Sequence, residues 1–143
     1  MVRERLRSLR IGEREFTWTA RIGHVAGEGD CHRCIRLRIW GDGKNSRALE
    51  ADLLSKSCHS PWTACATDGA YPQPGDVRAV IDYALERGWD PAATGGPFLL
   101  TERDHASAFE LDGFLLTDRR RDPSAPDPTA RVIHAYEQRT AEG

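Results

Sequence analysis

A chain of 143 residues is the size of one domain, and 39% apolar residues with four tryptophans supply one core, which excludes wholesale disorder. No apolar run approaches the roughly 20 residues of a membrane span, and the charged opening Met1–Arg10 lacks the apolar stretch of a signal peptide, so a soluble, cytoplasmic protein is expected. Twenty basic residues (18 arginines, Lys44 and Lys56) against 22 acidic ones give a net charge of −2, which excludes an extended polybasic nucleic-acid binder.

The first half reads as strands. Leu9 and Ile11 alternate with polar residues before the turn-like pair Gly12-Glu13. Phe16, Trp18, Ala20 and Ile22 then share one face of a period-two segment, with Glu15, Thr17, Thr19 and Arg21 on the other. Ala26 to Asp30 fits a hairpin connection. A third strand starting at Cys34 turns Ile35, Leu37 and Ile39 inward and Arg36, Arg38 and Trp40 outward. After the turn cluster Gly41 to Asn45, a fourth segment places Leu49, Ala51 and Leu53 on one side and Ala48, Glu50 and Asp52 on the other. The expected arrangement is an antiparallel meander with one buried face.

Residues 55–74 have no periodicity, and unstructured loops of about 20 residues are uncommon in compact domains unless functional, stapled or disordered. A helix over 74–87 follows. Pro74 suits its first position, Asp76 its positive N-terminal turn, and Val77, Val80, Ile81, Ala84 and Leu85 its core stripe, with Arg78, Asp82 and Glu86 on the solvent side. Gly88 stands at the left-handed capping position and Pro91 prevents continuation. Beyond the turn at Thr94–Pro97, Phe98 to Thr101 and Phe109 to Thr117 read as short strands. An Arg/Pro-rich tail occupies 118–143, in which Val132, Ile133 and Tyr136 either form a short docking helix at 129–139 or fray. The fold class is therefore α+β: residues 1–117 form one domain, with a small antiparallel sheet on one amphipathic helix and a flexible C-terminal tail behind it.

The run from Asp76 through Val77, Ile81, Tyr83, Gly88 and Trp89 to Pro91, followed by Gly95-Gly96-Pro97-Phe98, resembles a segment of small uncharacterised bacterial proteins in which a tryptophan-bearing hairpin also precedes the helix. The likeness spans 9–117. It implies a shared fold and carries no activity, and the cysteines stand outside it.

Cys31 and Cys34 form a Cys-x-x-Cys pair, and Cys58 and Cys65 are separated by six residues. In a cytoplasmic protein two such pairs point to zinc more readily than to disulfides, although the second spacing exceeds the usual two to four residues. In a meander the end of strand four returns to the edge where strand three begins, so all four thiols converge there and a metal would tie down the 55–74 loop. Four thiolates would close the site, which is a structural rather than a catalytic arrangement. Unrelated buried thiols are the plain alternative, His32 and His59 are substitute ligands, and a disulfide is the third reading.

Catalytic signatures are absent: the chain has no Gly-x-Ser-x-Gly, no Walker-type phosphate loop and no His-Glu-x-x-His. Cys58 beside His59, Cys31 beside His32, and Asp104 beside His105 are the remaining reactive pairs, and sequence neighbours usually point apart. Arg36, Arg38 and Trp40 on one strand face, with Trp62 in the cysteine loop, are the candidate partner-binding residues, since exposed tryptophan and arginine anchor protein interfaces. The same face could stack single-stranded nucleic acid. Cross-strand pairing of those arginines with Glu50 and Asp52 is the simpler use of the charges. Arg119–Arg121 reads as a solvated tail or a contact for an acidic partner. The expectation is a non-enzymatic protein whose partner is another protein, possessing a candidate structural zinc. A zinc-stabilised nucleic-acid module and a small thiol- or metal-dependent enzyme are the alternatives.

Overall fold

Alternation in the first half and one strong helical stripe after it dictate a sheet with helices. The computed structural model describes residues 6–28, 30–56 and 69–142. Its order is β1 (Arg7–Ile11), β2 (Arg14–Gly27), β3 (Asp30–Trp40), β4 (Leu49–Ser55), α1 (Pro74–Glu86), β5 (Phe98–Leu100), α2 (Glu102–His105), β6 (Phe114–Leu116) and α3 (Pro128–Glu142). The six strands form one mixed sheet in the order β1-β2-β3-β4-β5, with β6 also on β4. This is the expected α+β class. The meander is modified at β4, which pairs parallel with β5 over 49–51 and antiparallel with β6 over 53–55. A parallel pair needs a long crossover, and the chain from 56 to 97, containing α1, provides it. Among the described residues no helix is long and apolar enough to cross a membrane.

The chain divides into two compact units. The first comprises 1–21, 36–51 and 71–100, the second 22–35, 52–70 and 101–143.

In the first unit Gly12, at φ 62°, makes the two-residue turn that joins β1 to β2 with Ile11 opposite Arg14. Phe16 and Trp18 of β2 are buried, as are Leu37 and Ile39 of β3. Helix α1 begins with Pro74 in its first turn, and Asp76 Oδ2 accepts the Gln73 N–H at 2.8 Å, half of a capping box. Val77, Val80, Ile81 and Ala84 are fully buried. Leu85, expected on that stripe, is 41% exposed. At about 100° per residue it lies roughly 80° round from Val77, at the edge of the stripe. Gly88 takes φ 102° and ends the helix as expected. The chain then turns Trp89 inward, 2% exposed, with its Nε1 donating to the Arg47 carbonyl at 2.9 Å and its ring 6.0 Å from Phe16. Gly41 is required for close approach here, because a Cβ on it would fall 2.4 Å from the Pro91 Cβ.

In the second unit Val25, Cys34, Leu54, Leu115 and Val132 form an apolar cluster with Ala135 against it. Residues 118–142 carry a turn and then a full helix, α3, longer than the 129–139 expected. Val132 is its buried anchor, while Ile133 and Tyr136 are 45% and 50% exposed. The short α2 was not expected. Thr101 Oγ1 accepts the Asp104 N–H, and Asp118 accepts the Glu102 and Arg103 N–H groups while its own N–H donates to Glu102. Arg131 of α3 completes the junction, 3.3 Å from Glu102 Oε2, and donates to the Leu116 carbonyl.

Asp127 starts α3. Its carboxylate accepts the Thr129 N–H at 2.9 Å and the Glu28 N–H at 3.1 Å, fastening the β2–β3 connection to the helix. The Glu28 N–H, seconded by that of Thr129, holds the Asp127 carboxyl below the usual carboxylate range. A lowered folded-state pKa stabilises above the unfolded value of about 3.9 and loses that contribution as pH falls through the folded value. Asp127→Asn is therefore expected to be less stable than the wild type at pH 7, with a smaller gap at pH 3. Urea denaturation at the two pH values measures it.

Candidate functional site

Arg36 and Arg38 of β3 stand two residues apart and so project from the same side of the strand. The geometry of this site is set by Glu50 of β4, 3% exposed. One oxygen of its carboxylate lies 3.3 Å from Arg36 Nε. The other accepts from Arg38 Nε at 3.1 Å and Nη2 at 3.0 Å. A single buried carboxylate thus holds two guanidinium groups, and the Arg38 side chain remains 43% exposed. This is the cross-strand pairing that the alternation allows. The second acid named for that role, Asp52, pairs with Arg121, at 3.6 Å.

Arg38 and Trp40 line one depression of about 500 Å3, with Lys44 and Ser46 from the turn after β3 and Gly95 and Pro97 from the turn before β5. That first turn is closed by Ser46, whose N–H and hydroxyl both donate to the Gly43 carbonyl, with Gly43 at φ 75°. It brings Lys44 Nζ over the Trp40 ring, 5.5 Å from the centroid. Trp40 is predicted outward and exposed by strand alternation, but it is only 8% exposed. It is a wall of the depression rather than a projecting anchor. On the far rim Arg47 donates Nε to the Gly96 carbonyl at 3.0 Å and packs over Phe98.

The structure therefore brings Arg36, Arg38 and Trp40 together, around Glu50 and Lys44. Sequence reasoning treated Lys44 only as a turn residue. A lysine four positions beyond a strand-end tryptophan, across a Gly-Asp-Gly turn, was the available signal. Trp62, Cys58 and Cys65, with His59, lie outside the described residues.

Cys31 and Cys34 are placed differently from the expectation that strand three begins at Cys34. β3 begins at Asp30, so both cysteines are in extended backbone, three residues apart, where successive side chains alternate in direction. Cys31 is half-buried. Cys34 is 0% exposed, inside the Val25–Leu54–Leu115–Val132 cluster. His32 is buried, its Nε2 2.7 Å from Thr129 Oγ1. Among the described residues no group of three or more His, Cys, Asp or Glu side chains is arranged to hold a metal ion. In the Asp104–His105 pair, His105 Nδ1 accepts the Thr101 N–H at 2.9 Å.

Comparison of the chain with protein-family models, with curated proteins and with solved structures finds no match.

Proposed function

We propose that the protein is a non-enzymatic binding factor, of an accessory, regulatory or immunity type, whose Arg38–Trp40–Lys44 depression seats an acidic segment of another protein. The observation that carries this reading is the convergence of two exposed cationic groups on a tryptophan wall, with Arg38 held in place by the buried Glu50. Orientation in advance lowers the entropic cost of docking, because Arg38 does not have to be immobilised by the partner. A guanidinium that keeps donors free toward solvent pairs best with a planar carboxylate.

A protein partner is favoured over nucleic acid by the state of Trp40. Stacking of a base requires an open aromatic face, and this ring is 8% exposed with Lys44 across it. Affinity capture from the source cell tests the class. One stoichiometric, acidic-surfaced protein is expected, and salt-sensitive recovery of nucleic acid in its place would overturn the reading.

A structural zinc, which rests on the cysteine spacing and the strand topology, is a separate proposition. Elemental analysis of protein prepared without chelator tests it: one equivalent of zinc supports it, and none removes it.

A further inference from the structure

Three consecutive arginines follow β6, and the turn that carries them sends each to a different place. Arg121 and Asp122 donate their N–H groups to the Asp118 carbonyl at 3.0 and 2.8 Å, closing the turn. Arg121 reaches the buried Asp52 carboxylate. Arg119 donates Nη1 to the Ala125 carbonyl at 2.7 Å. Asp122, the next acid in the chain, is engaged by the Ser124 N–H and hydroxyl at 2.9 and 2.7 Å.

Arg120 has a different setting. Its guanidinium lies flat against Gly23 of β2, so close that a Cβ there would fall 3.1 Å from its central carbon. Its Nη1 is buried and has no hydrogen-bond partner among the described residues. A buried charged donor without an acceptor is costly, and native structures seldom leave one so. Beside it opens a cavity of about 320 Å3 lined by His24, Val25, Ala26, Arg119, Arg120 and Pro123. Two guanidinium groups and an exposed imidazole face it, and no carboxylate is among its lining residues.

We propose that this cavity binds a phosphate group, free or as a small monoester, with Arg120 as the principal donor. The phosphate oxygens accept guanidinium hydrogens that Arg120 and Arg119 present to the cavity, the pairing for which a guanidinium is best shaped. Val25, Ala26 and Pro123 form an apolar wall for an ester's organic group. The absence of a side chain at Gly23 is what allows the Arg120 plane to lie where it does. This site is independent of the Arg38–Trp40–Lys44 reading and involves none of its residues.

Titration of the full chain with inorganic phosphate and with phenyl phosphate, followed by amide chemical shifts, tests the assignment. Saturable shifts centred on 23–26 and 119–123 are expected with either probe. Tighter binding of phenyl phosphate places the organic group on the apolar wall, and equal binding identifies the phosphate group as the whole of the ligand; both support the site. Arg120→Gln is expected to weaken binding by about tenfold or more, whereas Arg78→Gln, on the solvent side of α1, leaves it unchanged. Should Arg120→Gln fail to fold, Gly23→Ala serves instead: its methyl displaces the guanidinium and weakens binding. No saturable shift in the wild type, or equal binding by wild type and variant (an adventitious ion only), overturns the proposal.

Discussion

Trp89→Ala is expected to lower the unfolding free energy by about 3–5 kcal/mol, the usual cost of truncating a buried tryptophan. Three losses coincide at this position. The ring is 2% exposed, it packs 6.0 Å from Phe16, and its Nε1 is the donor that satisfies the Arg47 carbonyl at the entrance to β4. Partial collapse around the gap is hindered on the β3 side, where Gly41 and Pro91 are already in close approach. Urea denaturation measures the change, with an unaltered slope as the sign that the native state is otherwise intact. Leu85→Ala, one turn earlier on α1, serves as the contrast. With 41% of that leucine already in water, a change within about 0.5 kcal/mol is expected.

Leu54→Ala is the second large effect, about 2–5 kcal/mol. Leu54 is 0% exposed and sits among Val25, Cys34, Leu115 and Val132, which come from β2, β3, β6 and α3. The cluster thus draws on residues from position 25 to position 132 of the sequence. Leu54→Met, which conserves volume, is expected to cost less than about 1.5 kcal/mol. Equal losses for the two substitutions would show that the site is not closely packed. Cys34 belongs to the same cluster.

How far these features were legible from the sequence differs from element to element. Helix α1 was legible throughout because local signals agreed: Pro74 and Asp76 at its start, a stripe at 77, 80, 81 and 84, and Gly88 at its end. Strand faces were legible only while one side stayed buried. In β3 the buried positions are 32 and 34 and then 35, 37 and 39, with Trp40 buried at the strand end, so the alternation changes phase at Cys34–Ile35. In β2 the same change leaves Ile22, predicted inward, 47% exposed, while Val25 is buried. No local pattern announces such a change, because it depends on what packs against each stretch.

β4 shows the limit most clearly. Its Glu50 and Asp52 read as the wet side of a half-buried strand, yet all seven residues are buried. Neighbours on both edges and long-range arginine partners make that tolerable, and neither is encoded locally. The parallel placement of β5 and the burial of Trp40 belong to the same class of tertiary effect. For the site, the residue types and their spacing identified Arg36, Arg38 and Trp40. Lys44 needed the folded turn, and the cavity beside Arg120 needed the contact of Gly23 with a residue 97 positions away.

The most direct measurement repeats the capture with Arg38→Gln combined with Lys44→Glu: the glutamine keeps an amide donor for the buried Glu50 carboxylate, and Lys44 is exposed. Removing one positive charge and reversing another at the rim of an interface with an acidic partner replaces attraction by repulsion, a loss of affinity on the order of tenfold or greater. The expected result is one protein recovered with the wild type and lost with the double variant, while circular dichroism shows both chains equally folded. Recovery of the same protein in equal amount by both would contradict an acidic partner at this depression.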